Sequence, residues 1–346
     1  MLIRKTFTNW LNFSLILLLG VIGITGCTNS TAVPPFPTEP PATALPVPAT
    51  ATQAPPVARL LVVDPAGITP PDVKDYLSTV ALENGLGLET ITDPELPPQA
   101  EDTRMVVFLA EPAQLAEIVA ASPATQFIVF GTPETIVSPN LSILRAASED
   151  LAFMAGYLTM LISWDWRAAG VIPTDVVMAA EKADAFENGA RYVCGQCTPF
   201  YPPLVYFPLL AQESIQADSA AWDARINELS LNYVNSYYID PALATPEMLD
   251  RIRGLSEVIH HDIYLVGLEN SSAPESVTAL LGFDLLSGLQ QLIPQALAGT
   301  GGLETRAQVK IIASQNNAIV TPAKVENFNR VAADLAAGII IPLSMP

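Results

Sequence analysis

From Ala58 onward, short apolar runs alternate with helical stretches, and this alternation limits the possible folds more tightly than any other feature of the chain. A strand buried on both faces reads as a continuous apolar run, and parallel neighbours need a crossover, usually a helix. Arg59–Val63 reads as the first strand and 71–83 as the helix after it. Further strands are expected at 104–109, 126–130, 141–144, 167–172, 204–209, 236–239, 263–266 and 309–312. Helices are expected over 112–121, 149–162, 178–190, 220–231, 246–255, 282–298 and 322–337. A body of about 290 residues suits two lobes or one large α/β domain.

Open parallel sheets bind ligands beyond the carboxyl ends of their strands, where loops and helix N-termini converge. That rule nominates Asp64, Glu111, Thr132, Thr174, Asp175, Asp240, Gly267 and Glu269. Each has a plainer role open to it. Asp64-Pro65 and Asp240-Pro241 are ordinary turn chemistry, and Thr174 or Asp175 suits a helix N-cap. Phe130, Tyr237 and Tyr238 have rings that could stack on a ligand, yet strand aromatics commonly pack in cores. Trp164 and Trp166 precede their strand and so belong at the opposite end of the sheet.

The N-terminus reads as an address. Arg4 and Lys5 precede the apolar run Phe13–Ile22, and Ile24-Thr25-Gly26-Cys27 closes it, the pattern of a secretory signal in residues 1–26. A cysteine at that point resembles a bacterial lipobox, in which Cys27 is acylated and the chain is held by lipid on the extracytoplasmic face of the cell membrane. A spanning anchor is the alternative, since the run approaches the ~20 residues needed to cross a bilayer. Residues 28–57 hold nine prolines and one charged residue, Glu39, and so read with Cys27 as a tether, 27–57, which buries no core.

Sixteen basic against 35 acidic residues give a net charge of −19, which excludes nucleic acid as a partner for want of a basic surface. Cys194 and Cys197 are the cysteines left after Cys27, and outside the cytosol a structural disulfide is the expected state. A redox pair is disfavoured by Pro199, Pro202 and Pro203, which follow directly. A metal site is disfavoured because His260 and His261 are the only histidines and lie far away in sequence. No nucleophile and base are spaced for catalysis, and no Gly-x-Ser-x-Gly motif is present. No enzyme activity, metal or cofactor is therefore expected.

Several segments resemble one family in order and spacing. Ser148–Thr159, containing Phe153-Met-Ala-Gly156-Tyr157, is similar to the segment with which the basic membrane protein family of lipoproteins enters its second lobe. Ala169–Ile172, the Phe186-Glu-Asn-Gly189 helix, Pro123–Val129, Pro139-Asn140-Leu141 and Ile263–Gly267 continue the match across about 104–340. The resemblance implies a type I periplasmic-binding-protein fold: two Rossmann-like α/β lobes with parallel sheets, joined by three crossover segments. Lobe 1 would comprise 58–143 with 276–305, and lobe 2 would comprise 144–275 with 306–346. It further implies a monomeric, purine nucleoside receptor-like lipoprotein that encloses a small polar ligand between its lobes and serves an ABC permease and ATPase. A lipid-anchored sensor or scaffold with the same fold is the alternative. Two differences bear on the ligand. Val63–Gly67 lacks the family's Ser-Phe-Asn, and Glu269 stands where the family has Asp.

Overall fold

The computed structural model describes residues 58–67, 69–92, 102–132, 134–269 and 277–344. The signal-like segment, Cys27 and the tether lie outside them. Five strands open the described body: β1 (Arg59–Val63), β2 (Gly87–Ile91), β3 (Thr103–Phe108), β4 (Gln126–Gly131) and β5 (Leu141–Arg145). Helices α1 (Pro71–Glu83) and α2 (Leu115–Ala121) connect them. A late strand, β11 (Glu304–Arg306), joins β5, and the order of this first sheet is β11-β5-β4-β3-β1-β2, parallel throughout. Leu60 and Val62 face α1 and α7 (Leu285–Leu297), while Leu61 and Val63 face α2. The period-two alternation of strand side chains thus fills two apolar layers from one five-residue strand.

The second sheet contains β6 (Ala168–Val171), β7 (Leu209–Ala211), β8 (Ser236–Ile239), β9 (Tyr264–Leu268), β10 (Ala279–Phe283) and β12 (Val309–Ser314). Its order is β12-β10-β9-β8-β6-β7, with β12 the antiparallel member. Helices α5 (Ser219–Ser230) and α6 (Pro246–Ile259) cover one face. On the other lie α3 (Ser148–Ile162), α4 (Ala179–Cys194) and α8 (Pro322–Ala336). Helix α3 is apolar around nearly its whole circumference because it sits between the sheet and both neighbouring helices.

Three short crossings link the sheets, at 145–148, 283–285 and 306–309. Ion pairs lie beside each. Arg145 Nε meets Glu304 at 2.6 Å, Arg306 Nε meets buried Asp150 at 2.5 Å, and Lys310 lies 3.4 Å from Asp284 and 3.7 Å from Asp72. One boundary needs correction. Residues 279–283, within the 276–305 segment expected in the first lobe, form β10 and pair with β9 and β12 in the second sheet. Asp284 caps α7 by accepting from Ser287 N–H, so the helix begins after it and the first two residues of the expected 282–298 helix belong to β10.

Cys194 and Cys197 form a disulfide at the end of α4. Beside it, the fully buried Arg167 binds Asp165 at 3.2 Å, the Asn232 carbonyl at 2.7 Å and the Tyr201 carbonyl. Among the described residues no helix is long and apolar enough to cross a membrane.

Candidate functional site

A cavity of about 530 Å³ opens where the carboxyl ends of both sheets meet. The first sheet contributes Phe130 from β4, and α7 contributes Leu285. Opposite them, Tyr238 comes from β8, Leu268 from β9, and Leu281, Gly282 and Phe283 from β10. Helix α3 adds Ser148 and Leu151, and α4 adds Lys182. Phe130 and Phe283 meet edge to face with centroids 5.6 Å apart, so an aromatic pair joins the two sheets at the cavity wall.

Few polar groups enter this wall. Asp240 follows β8 and is buried, with its Oδ1 accepting from Ala242 N–H at 3.0 Å and its Oδ2 3.4 Å from Lys182 Nζ. Glu269 follows β9 at the solvent-exposed rim. Burial of part of its surroundings raises its carboxyl above the usual range, and Lys310 opposes that rise. The glycine at 282 makes room for it, since a Cβ there would come within 2.6 Å of Glu269 Oε2 and 2.2 Å of Ile312 Cδ1. Tyr238 is 1% exposed and stacks on Phe186 at 5.5 Å. Burial, and secondarily Asp240, raises its phenol well above its ordinary value.

The nominated residues divide into those at the cavity and those holding loops. Asp240 and Glu269 line the cavity together. Asp64 accepts from Thr69 N–H at 2.7 Å and from its hydroxyl at 2.5 Å, closing the turn after β1. Glu111 accepts from Thr132 N–H at 3.0 Å and from the Thr135 hydroxyl at 2.5 Å, which ties together the loops after β3 and β4. Thr174 N–H donates to the Glu213 carbonyl, and Asp175 accepts from Ile215 N–H and the Ser214 hydroxyl. Those two bonds hold the Asp175 carboxyl below its usual range. Gly267 is buried inside β9, opposite Leu280.

Phe130 and Tyr238 line the cavity, whereas Tyr237 is wholly buried and donates its hydroxyl to Val234 O at 3.0 Å. Trp164 stacks on Tyr201 and His261, in a surface cluster away from these strand ends. Sequence inspection misses Lys182, Gly282 and Phe283. A signal for the last two exists: Leu280-Leu281-Gly282-Phe283-Asp284 is an apolar run ending in a cap residue, as at other strand ends here. Among the described residues, no group of three or more His, Cys, Asp or Glu side chains could hold a metal ion.

Neither a family model nor a curated protein matches the chain. Solved structures do. An ABC transporter solute-binding protein from Conexibacter woesei DSM 14684 aligns with TM-score 0.50 and 12% identity, covering 84% of this chain and 99% of that one. A transcriptional activator of the comK gene from Bacillus halodurans follows at 0.49 and 13%, over 83% of this chain and 100% of that one. Solute-binding proteins from Aeropyrum pernix K1 give 0.46 and 12%, over 83% of each chain. At such identities the first likeness defines the fold alone. With two parallel-rich six-stranded sheets, the chain has the type I periplasmic-binding-protein fold.

Proposed function

We propose that the chain is a solute receptor whose ligand occupies the cavity at the strand ends. One observation carries this reading: both sheets supply walls to a space of about 530 Å³, within the range of about 300–1,000 Å³ typical of small-molecule sites. Closure of two lobes around short crossings is the motion by which such a site captures its guest. The residue types around the cavity support a ligand with an apolar or aromatic body and polar groups at one edge. A purine nucleoside belongs to that class, with its base against Phe130 or Phe283 and its hydroxyls toward Glu269. The signal-like N-terminus, Cys27 and the Pro-rich tether support a lipid-anchored monomer on the extracytoplasmic face. There it would deliver ligand to an ABC permease and ATPase.

A thermal-shift screen against nucleosides, sugars, amino acids and amines tests the receptor reading. A ligand at 100 times its dissociation constant stabilises the folded form by about 2.7 kcal/mol. No change in melting temperature with any class would refute the reading.

A further inference from the structure

We infer that the cavity is built for an organic cation, a primary amine carried on an aromatic or alicyclic body. This deepens the receptor reading and rests on it. The hydrogen-bonding capacity left open at the walls is the first ground. Glu269 accepts no side-chain hydrogen bond among the described residues, although its carboxylate lies over Gly282 at the cavity rim. The Tyr238 hydroxyl also lacks a hydrogen bond among the described residues, in a side chain 99% withdrawn from solvent. Glu269 at the rim is open to solvent, and among the described residues neither group is held by a protein donor or acceptor that a ligand would have to displace. A ligand ammonium or hydroxyl can hydrogen-bond at both positions. A carboxylate has no proton to offer Glu269, and the negative charge of a carboxylate or a phosphate would oppose it.

Local charge points the same way. Lys182 is engaged by Asp240 at 3.4 Å, and Lys310 is shared between Asp284 at 3.4 Å and Asp72 at 3.7 Å. Asp72, Asp240, Glu269 and Asp284 against Lys182 and Lys310 leave an excess of two carboxylates. At the neighbouring crossing Arg306 is engaged by Glu149 and Asp150, so it supplies no free positive charge. An acidic protein of net charge −19 also draws cations toward its surface.

The apolar walls define the rest of the ligand. Phe130, Leu151, Leu281, Phe283 and Leu285 present rings and branched chains with no donors or acceptors. They suit a hydrocarbon body and leave the several hydroxyls of a sugar only the carboxylates at one edge. Aromatic faces beside the rim add attraction for a nearby cation.

Calorimetric titration of the full chain with three near-isosteric probes tests the inference: 2-phenylethylamine, 2-phenylethanol and phenylacetate. Adenosine, guanosine and glucose serve as comparison ligands. The amine should bind at least tenfold more tightly than the alcohol, with phenylacetate weakest, and its affinity should fall as salt rises. Glu269→Gln should reduce amine affinity at least tenfold and change alcohol affinity less than threefold, with the ligand-free melting temperature unchanged. Equal binding of amine and alcohol, or an amine affinity insensitive to Glu269→Gln, would overturn the inference. Binding of a nucleoside or glucose with the amine inert would also overturn it and leave the receptor reading standing. Silence from every probe would overturn the inference, while the receptor reading would fall only with a flat response across the wider thermal-shift screen.

Discussion

Replacing Gly189 with alanine should destabilise the protein, although alanine is the better helix former. Helices α3 and α4 cross with their backbones in contact. A Cβ at 189 would stand 1.8 Å from the Phe153 carbonyl oxygen and 2.7 Å from its carbon. Carbon–oxygen contacts at helix interfaces ordinarily close no nearer than about 3.3 Å. The helices must therefore part by about 1.5 Å, and the obstructing atoms are backbone, which has no rotamer by which to retreat. Overpacking of this kind costs about 1–3 kcal/mol and occasionally more, against a propensity gain of about 0.5–1 kcal/mol. The net loss should be about 1–2 kcal/mol, read as a lower urea midpoint at unchanged slope. Gly254 in α6 provides the control, because nothing lies within 4 Å of a Cβ built there. Gly254→Ala should stabilise by about 0.4–1 kcal/mol. A Gly189→Ala protein as stable as the parent, or two variants shifted alike, would refute the reasoning.

Stability should also respond to pH through Asp150. Burial raises this carboxyl to about 7, with Arg306 opposing and Glu149 adding to the rise, whereas the unfolded group titrates near 3.9. Between roughly pH 4 and 7 the folded chain holds a proton that the unfolded chain has released, so this residue's contribution falls as pH rises, by up to about 4 kcal/mol. Asp150→Asn should remove that slope, and parallel stability profiles for parent and variant would contradict the assignment. Reducing the Cys194–Cys197 disulfide, which spans three residues of separation, should lower stability by about 2 kcal/mol on loop entropy. Denaturation with and without a reductant measures it, and coincident curves would count against the estimate.

Much of this architecture is legible in sequence because central parallel strands are buried on both faces. After their first residue, Arg59–Val63 and Ser236–Ile239 are uninterrupted apolar or aromatic runs, and the structure gives both those bounds. The two edge strands of the first sheet escape notice for the converse reason. Strand β2 has two exposed positions and includes Glu89 and Thr90, and β11 is three polar residues beside β5. Strand β10 is hidden differently. Its apolar residues run into those of α7 with only Asp284 between them, so periodicity alone extends the helix backwards across a strand.

The site was less legible, and the residues that carry the family resemblance show why. Gly156 and Gly189, the glycines of the Phe153–Tyr157 and Phe186–Gly189 motifs, lie at the α3–α4 crossing. Each would drive a Cβ into the opposing helix backbone, 2.0 Å from Phe186 O and 1.8 Å from Phe153 O. These motifs therefore record how the second lobe packs, and they carry no direct information about what lies in the cavity. Strand-end polar residues were the natural candidates, yet most of them are consumed by their own loops: Asp64 by Thr69, Glu111 by Thr132 and Thr135, Asp175 by Ser214 and Ile215. A carboxylate that closes a turn and one that faces a ligand have the same identity and the same position after a strand. Only the presence of a nearby donor separates them, and that donor is set by tertiary contact. Asp240 closes its own turn through Ala242 N–H but keeps its other oxygen toward Lys182 of α4, and Glu269 lies against Gly282 of β10 with no capping hydroxyl beside it among the described residues. On the proposed receptor reading, ligand chemistry would follow from what those neighbours leave unsatisfied.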